Sequence, residues 1–105
     1  MLAAAPPADA EGYLLDPEDW TEAFARATAA AMSIELGDEH WSAIRFMRAW
    51  QAEHGVSPDA RHVMRHLTAS HGGSRNRLFE LFPYGYPGQA CRIAGMRRPR
   101  AWSTG

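Results

Sequence analysis

Nowhere in this chain do apolar and polar residues alternate for long enough to line one face of a strand, whereas apolar side chains return every three or four positions in window after window. That contrast excludes a sheet-based core and predicts helices. Asp16-Pro17 marks the first start, with Asp16 as N-cap, Pro17 at the first helical position, and Glu18, Asp19 and Glu22 facing the positive end of the dipole. Trp20, Phe24, Ala27 and Ala31 then carry an apolar stripe to about Met32. A second helix follows Gly37-Asp38, buries Trp41, Ile44, Met47 and Trp50 with Phe46 widening the stripe, and ends at His54-Gly55. Ser57-Pro58 predicts the cap of a third helix running to about Ala69, with Val63, Met64 and Leu67 inward. Gly72-Gly73 breaks the chain, Ser74 opens a fourth helix through Leu78, Phe79, Leu81 and Phe82, and Pro83 closes it.

With 105 residues the chain has room for one domain that buries roughly two-thirds of its unfolded surface. The expected fold is mainly α, a small orthogonal helical bundle with at most a short N-terminal β-hairpin and a flexible C-terminal arm. Residues 1–10, rich in Ala and Pro, are expected to be disordered, 11–95 form the helical domain and 96–105 the arm. The N-terminus has no basic start followed by an apolar run, no stretch approaches the length of a membrane span, and a lone cysteine cannot close an internal disulfide. These features fit a cytoplasmic, reducing location without membrane contact.

The near-zero net charge conceals an asymmetry. Residues 1–39 hold nine acids against Arg26 alone, while residues 40–105 hold three acids and ten arginines, a net of +7. Such a split either steers an anionic partner to one face or is simply a solvated surface.

The stretch from Leu81 to Gly95 concentrates the chemistry. Pro83, Gly85, Pro87 and Gly88 predict a turn that aims a short helix at about 88–94 and then releases the basic arm. Two readings of Cys91 stand open. Beside Ala90, Ile93 and Ala94 it suits a buried structural thiol; just inside a helix start and next to Arg92, its thiolate is favoured by dipole and cation, which suits sulfur chemistry.

The motifs Leu81-Phe82-Pro83-Tyr84-Gly85, Gln89-Ala90-Cys91, Ile93-Ala94-Gly95 and Pro99 resemble the C-terminal signature of the DsrC/TusE family. Glu11-Gly12-Tyr13-Leu14, Trp20, Glu39-His40-Trp41 with Ile44, and Gly55-Val56-Ser57-Pro58 with Arg61 resemble its landmarks in the same order. The resemblance implies a small sulfur-carrier protein, the gamma subunit of dissimilatory sulfite reductase or the relay protein of tRNA wobble-uridine thiolation. It implies a sulfurtransferase or sulfite-reductase-type protein partner, or tRNA-modification machinery. It also implies a carrier cysteine next to the C-terminal residue. In the sulfite-reductase branch a second cysteine lies upstream with ten residues between the two, and counting from Cys91 puts the carrier position at Trp102, so Cys91 is the only possible persulfide carrier. The family's arm inserts into a partner, and Arg92, Arg97, Arg98, Arg100 and Trp102 are the candidate binding residues here.

A second function class remains beside this one. The second and third helices, joined by a Gly55 turn, resemble a helix-turn-helix, with Arg61, His62, Arg65 and His66 on adjacent turns. On that reading the chain is a non-carrier regulatory paralogue that binds nucleic acid or a protein through Arg61, Arg65 and the arm. His62 and His66 lack the cysteine or carboxylate company of a metal site, and no cofactor-binding motif occurs.

Overall fold

The computed structural model describes residues 6–73 and 76–97. It is mainly helical, with no sheet among the described residues. A 3₁₀ turn over Pro17–Asp19 precedes α1 (Glu22–Ala31), α2 (Asp38–His54), α3 (Ala60–His71) and α4 (Arg77–Leu81). A π-helical turn over Tyr86–Cys91 then runs on helically through Arg92 and Ile93. The arm positions 98–105, including Arg98, Arg100 and Trp102, and the predicted α4 start at Ser74 lie outside the described residues.

The centre of the core is α2, which buries Ala43, Ile44 and Met47. Val63 and Leu67 of α3, Leu78 and Leu81 of α4, Phe82, and the segment Tyr86–Met96 close around it. Trp41, Phe46, Trp50 and Met64, expected to be inward, are only half buried and line the seams.

The predicted first helix is in fact two elements. The Asp16 carboxylate accepts from the Glu18 amide at 2.9 Å and caps only the 3₁₀ turn. Trp20 is extended, and the Thr21 hydroxyl accepts from the Phe24 amide at 3.0 Å to start α1 afresh. The break frees the Trp20 indole to donate to the Ile93 carbonyl at 2.9 Å, a bond a continuous helix would not aim. It also changes the inner face of α1, which buries Ala25 and Ala29 and leaves Ala27 and Ala31 exposed. The start of α3 moves too: Asp59 rather than Ser57 is its cap, accepting from the Arg61 amide at 3.1 Å.

The chain reversal at 7–15 is the remnant of the expected hairpin. Ala8 and Leu14 form one antiparallel bridge, and the Asp9 carboxylate accepts from the Glu11 and Tyr13 amides at 2.9 and 3.0 Å. The Asp9 amide donates to the Tyr13 carbonyl at 2.8 Å and the Leu15 amide to the Pro7 carbonyl at 3.1 Å, and the Asp9 side chain supplements this pairing in a leg drawn from an Ala/Pro stretch of low β-propensity.

His40 ties α2 to α4. The Gly37 amide donates to its Nδ1 at 3.1 Å, which leaves Nε2 to donate to the Leu81 carbonyl at 3.0 Å, with the ring edge-on to Phe82. Burial, the largest influence, holds the His40 pKa below the ordinary histidine value. Protonation would also destroy the Nδ1 acceptor. A neutral histidine with a depressed folded pKa contributes stability above its unfolded value of about 6.5, and that contribution is lost as pH falls through the folded pKa. The urea midpoint is therefore expected to fall between pH 7.5 and 5, and His40→Ala to flatten part of that slope; an unchanged slope in the variant would contradict this assignment.

Candidate functional site: Cys91 and the root of the C-terminal arm

The site is the segment Tyr86–Met96 and what grips it. Gly85 N-caps a π-helical turn whose first turn accommodates Pro87, since that position needs no amide donor. The Gln89 side chain turns back to accept from the Tyr84 amide at 2.9 Å, which closes the preceding loop. Two tyrosine hydroxyls tie the turn to distant parts of the chain: Tyr13 donates to the Pro87 carbonyl at 2.9 Å, and Tyr86, within the turn, donates to the Pro58 carbonyl at 2.6 Å.

Cys91 lies at the end of this turn with none of its surface exposed. The expectation of a favoured thiolate at a helix start is corrected here. The residue sits in the core rather than at a free helix N-terminus, and burial pushes its thiol up to about 12, with the neighbouring Tyr86 hydroxyl opposing the shift only in part. The same burial raises the Tyr86 hydroxyl. In this conformation Cys91 is a protonated, water-excluded thiol.

Beyond Cys91 the chain is held by two residues not singled out in the sequence as site residues. The Arg48 guanidinium donates to the Ala94 carbonyl at 2.8 Å and to the Pro17 carbonyl at 2.9 Å, and stacks over the Trp20 ring at 4.3 Å. The Trp20 indole takes the Ile93 carbonyl. These two carbonyls belong to the final helical turn, whose acceptors lack intrahelical donors, and a cation there also suits the negative end of the dipole. Gly95, with φ of 75°, passes directly over Trp20. The arm thus leaves the core from a clamped root.

The candidate binding residues fall into two places. Arg92 packs its guanidinium against Gly12 of the N-terminal turn, and its buried Nε has no hydrogen-bond partner among the described residues. Arg97 is exposed at the start of the arm. Arg61 and Arg65 are instead exposed on α3, where Arg61 lies 3.6 Å from the Asp59 carboxylate of its own helix cap. His62 and His66 stack on Trp50 and Phe46 at 4.5 and 4.6 Å between ring centroids. Trp20 was legible as an apolar position, but Arg48 reads as an ordinary polar residue of a helix, because both of its acceptors come from distant parts of the chain.

No helix among the described residues is long and apolar enough to cross a membrane. The family model described as "DsrC like protein" matches residues 3–101. The chain is 40% identical over 94 residues to Sulfurtransferase TusE of Salmonella typhimurium, covering 87% of this chain and 86% of that one. Among solved structures it is similar to the oxidized gamma-subunit of the dissimilatory sulfite reductase, DsrC, from Archaeoglobus fulgidus, with a TM-score of 0.83 and 33% identity over 93% of this chain and 92% of that one. DsrC of Allochromatium vinosum matches with a TM-score of 0.75 and 34% identity over 90% and 88% of the two chains. The alternative of a DNA-binding regulator gains no support from these relatives.

Proposed function

The chain belongs to the DsrC-like family, and from that premise we propose that it is a sulfur-relay protein that docks its C-terminal arm into a sulfurtransferase or a sulfite-reductase-type protein. The observation that carries this reading is the clamped arm root: Trp20 and Arg48 grip the Ile93 and Ala94 carbonyls, so the residues that follow leave the core at a set position. Arg92 and Arg97 lie on either side of the clamped carbonyls in the chain, and Arg98, Arg100 and Trp102 follow in the sequence. Guanidinium groups suit an acidic channel mouth, and a tryptophan suits an anchoring pocket. The tRNA-modification machinery is one such destination, in keeping with the TusE relatives, and a reducing cytoplasm is the setting.

Cys91 is the only thiol available to carry sulfur. The step is attack by its thiolate on the outer sulfur of a donor persulfide. The new bond joins Sγ to that sulfur, the donor's S–S bond breaks, and the donor thiolate leaves and is protonated. Because Cys91 is sealed, this requires the Tyr86–Cys91 turn to open when the partner engages the arm. The protein is then a substrate for its partners and not an independent catalyst. A second reading, docking without carriage, is favoured by the burial of Cys91 together with Trp102 at the carrier position.

Intact-mass measurement of the reduced protein after incubation with a persulfidated sulfurtransferase separates the two. Relay through Cys91 is expected to add the mass of one sulfur atom, absent in Cys91→Ser. If the native chain stays unmodified while Trp102→Cys takes up sulfur, the scaffold docks but this protein carries nothing.

A further inference from the structure

The loop between α2 and α3 reaches the Cys91 turn through one buried bond. Gly55 ends α2 in the left-handed region, with φ of 78°, and its amide donates to the Gln51 carbonyl at 2.7 Å. Asp59 caps α3. Between these fixed ends lie Val56, Ser57 and Pro58. Val56 is 54% exposed, whereas Pro58 is buried, and the Pro58 carbonyl accepts from the Tyr86 hydroxyl at 2.6 Å. Among the described hydrogen bonds, this is the one that ties residues 56–58 to a distant part of the chain. Tyr86 is itself buried, and it is also a hydrogen-bonding neighbour of the Cys91 thiol five positions along the same turn. Its hydroxyl thus stands between loop and thiol. The segment that holds both residues is gripped beyond Cys91 by Trp20 and Arg48, at the Ile93 and Ala94 carbonyls. Before Tyr86 it begins at Gly85, whose φ of 112° suits glycine alone. Residues 86–91 therefore lie between a pivot and a clamp.

We propose that the α2–α3 loop gates Cys91: the turn stays shut while the Pro58 carbonyl holds the Tyr86 hydroxyl, and displacement of the loop at exposed Val56 releases the turn. The physical reason is the penalty on an orphaned partner. A buried hydroxyl or carbonyl that loses its hydrogen bond is destabilised until it reaches water. Withdrawing Pro58 therefore drives Tyr86 outward, and Cys91 belongs to the same short turn. The second tie, from Tyr13 to the Pro87 carbonyl, comes from the N-terminal reversal and is not linked to this loop. A partner that takes the arm is the agent that moves the loop, and in that respect the gate rests on the sulfur-relay reading. The gate itself needs no sulfur donor to be observed.

The test follows iodoacetamide labelling of Cys91 in the native full chain by intact mass across a urea series. Labelling through a local opening depends little on urea, whereas labelling through global unfolding rises steeply, because far more surface is exposed. The parent is expected to show a urea-independent rate at low urea, raised about tenfold or more in Tyr86→Phe. Loss of the hydroxyl by itself disfavours the thiolate, since Tyr86 opposes the rise of the Cys91 pKa, so an acceleration reports opening. Gly55→Ala probes the loop from its exposed end, with Gly72→Ala as the matched control. Both glycines are left-handed helix ends with nothing within 4 Å of an added Cβ, so the two variants carry similar strain. Gly55→Ala is expected to speed urea-independent labelling at least about fivefold, and Gly72→Ala to leave it at the parent rate. If Tyr86→Phe fails to fold, the glycine pair decides alone. The parent rate in Gly55→Ala, equal acceleration by both glycine variants, or labelling that follows global unfolding at every urea concentration would each overturn the proposal. So would acceleration by Tyr13→Phe in place of Tyr86→Phe, which would assign the latch to the N-terminal reversal. Sulfur uptake is measured separately with a persulfidated donor, so the gate and the relay fail independently.

Discussion

Iodoacetamide is expected to label Cys91 at least about a thousandfold more slowly in the native protein at pH 8 than in denaturant. The reactive species is the thiolate, and raising the pKa from 9.0 to about 12 removes about three factors of ten from its population. Steric exclusion adds to that, since no part of Cys91 reaches the surface. Labelling then reports opening of the Tyr86–Cys91 turn, and its rate is expected to rise when an arm-docking partner is added. The same burial makes a stability prediction with a definite sign. A thiol whose folded pKa is raised contributes stability below its unfolded value, and that contribution is lost as pH rises through the folded pKa. The fold is therefore expected to weaken between about pH 9 and 12, and Cys91→Ala to lessen that alkaline decline. Native labelling as fast as in denaturant would mean that the turn is open in solution and that the core around Cys91 does not hold it.

The most damaging single-atom change is expected at Gly95. Its φ of 75° costs an L-residue about 1–2 kcal/mol. The new Cβ would also lie 2.8 Å from both Cβ and Cγ of Trp20, and overpacking of that kind adds about 1–3 kcal/mol. Trp20 cannot yield cheaply, because its indole holds the Ile93 carbonyl and supports the Arg48 guanidinium. Gly95→Ala is thus expected to cost about 2–5 kcal/mol and to lower the melting temperature by about 8–40 °C. Gly88 is the control. Nothing lies within 4 Å of its added Cβ, so Gly88→Ala is expected to stay within about 1 kcal/mol of the parent. If Gly95→Ala melts with the parent, Trp20 is free to swing away and the arm root is not clamped.

The two results bear on the same question from opposite ends. Slow labelling of Cys91 says that the carrier candidate is stored, and a large cost at Gly95 says that the arm is launched from a rigid point. Together they describe a protein in which docking precedes any sulfur chemistry. Fast labelling with a tolerant Gly95 would describe a loose C-terminal segment, and the docking geometry would then have to come from the partner.

The missing β-period, the Gly55 and Gly72 helix ends and the solitary thiol are local properties, and a chain can display them without folding. Helix existence was accordingly legible in the residues themselves, as was the turn at Pro83 and Gly85, but Pro87 lies inside the helical turn Tyr86–Cys91 and not before it, because the first turn needs no amide donor there. Helix faces were less so. The inner face of α1 is Ala25 and Ala29 because Thr21 competes successfully with Asp16 as the cap, and Trp20 leaves the helix for a carbonyl 73 residues away. The chemical state of Cys91 was least legible of all. The sequence placed it next to Arg92 and so towards the thiolate, yet Arg92 points to Gly12, and the thiol faces Tyr86 inside the core. Sequence determined which segments are helical, where they stop and which single atom could carry sulfur. Tertiary structure alone decided that this atom is sealed and that Trp20 and Arg48 hold the arm. Desolvation and carbonyl capture depend on segments that meet only once the chain is folded.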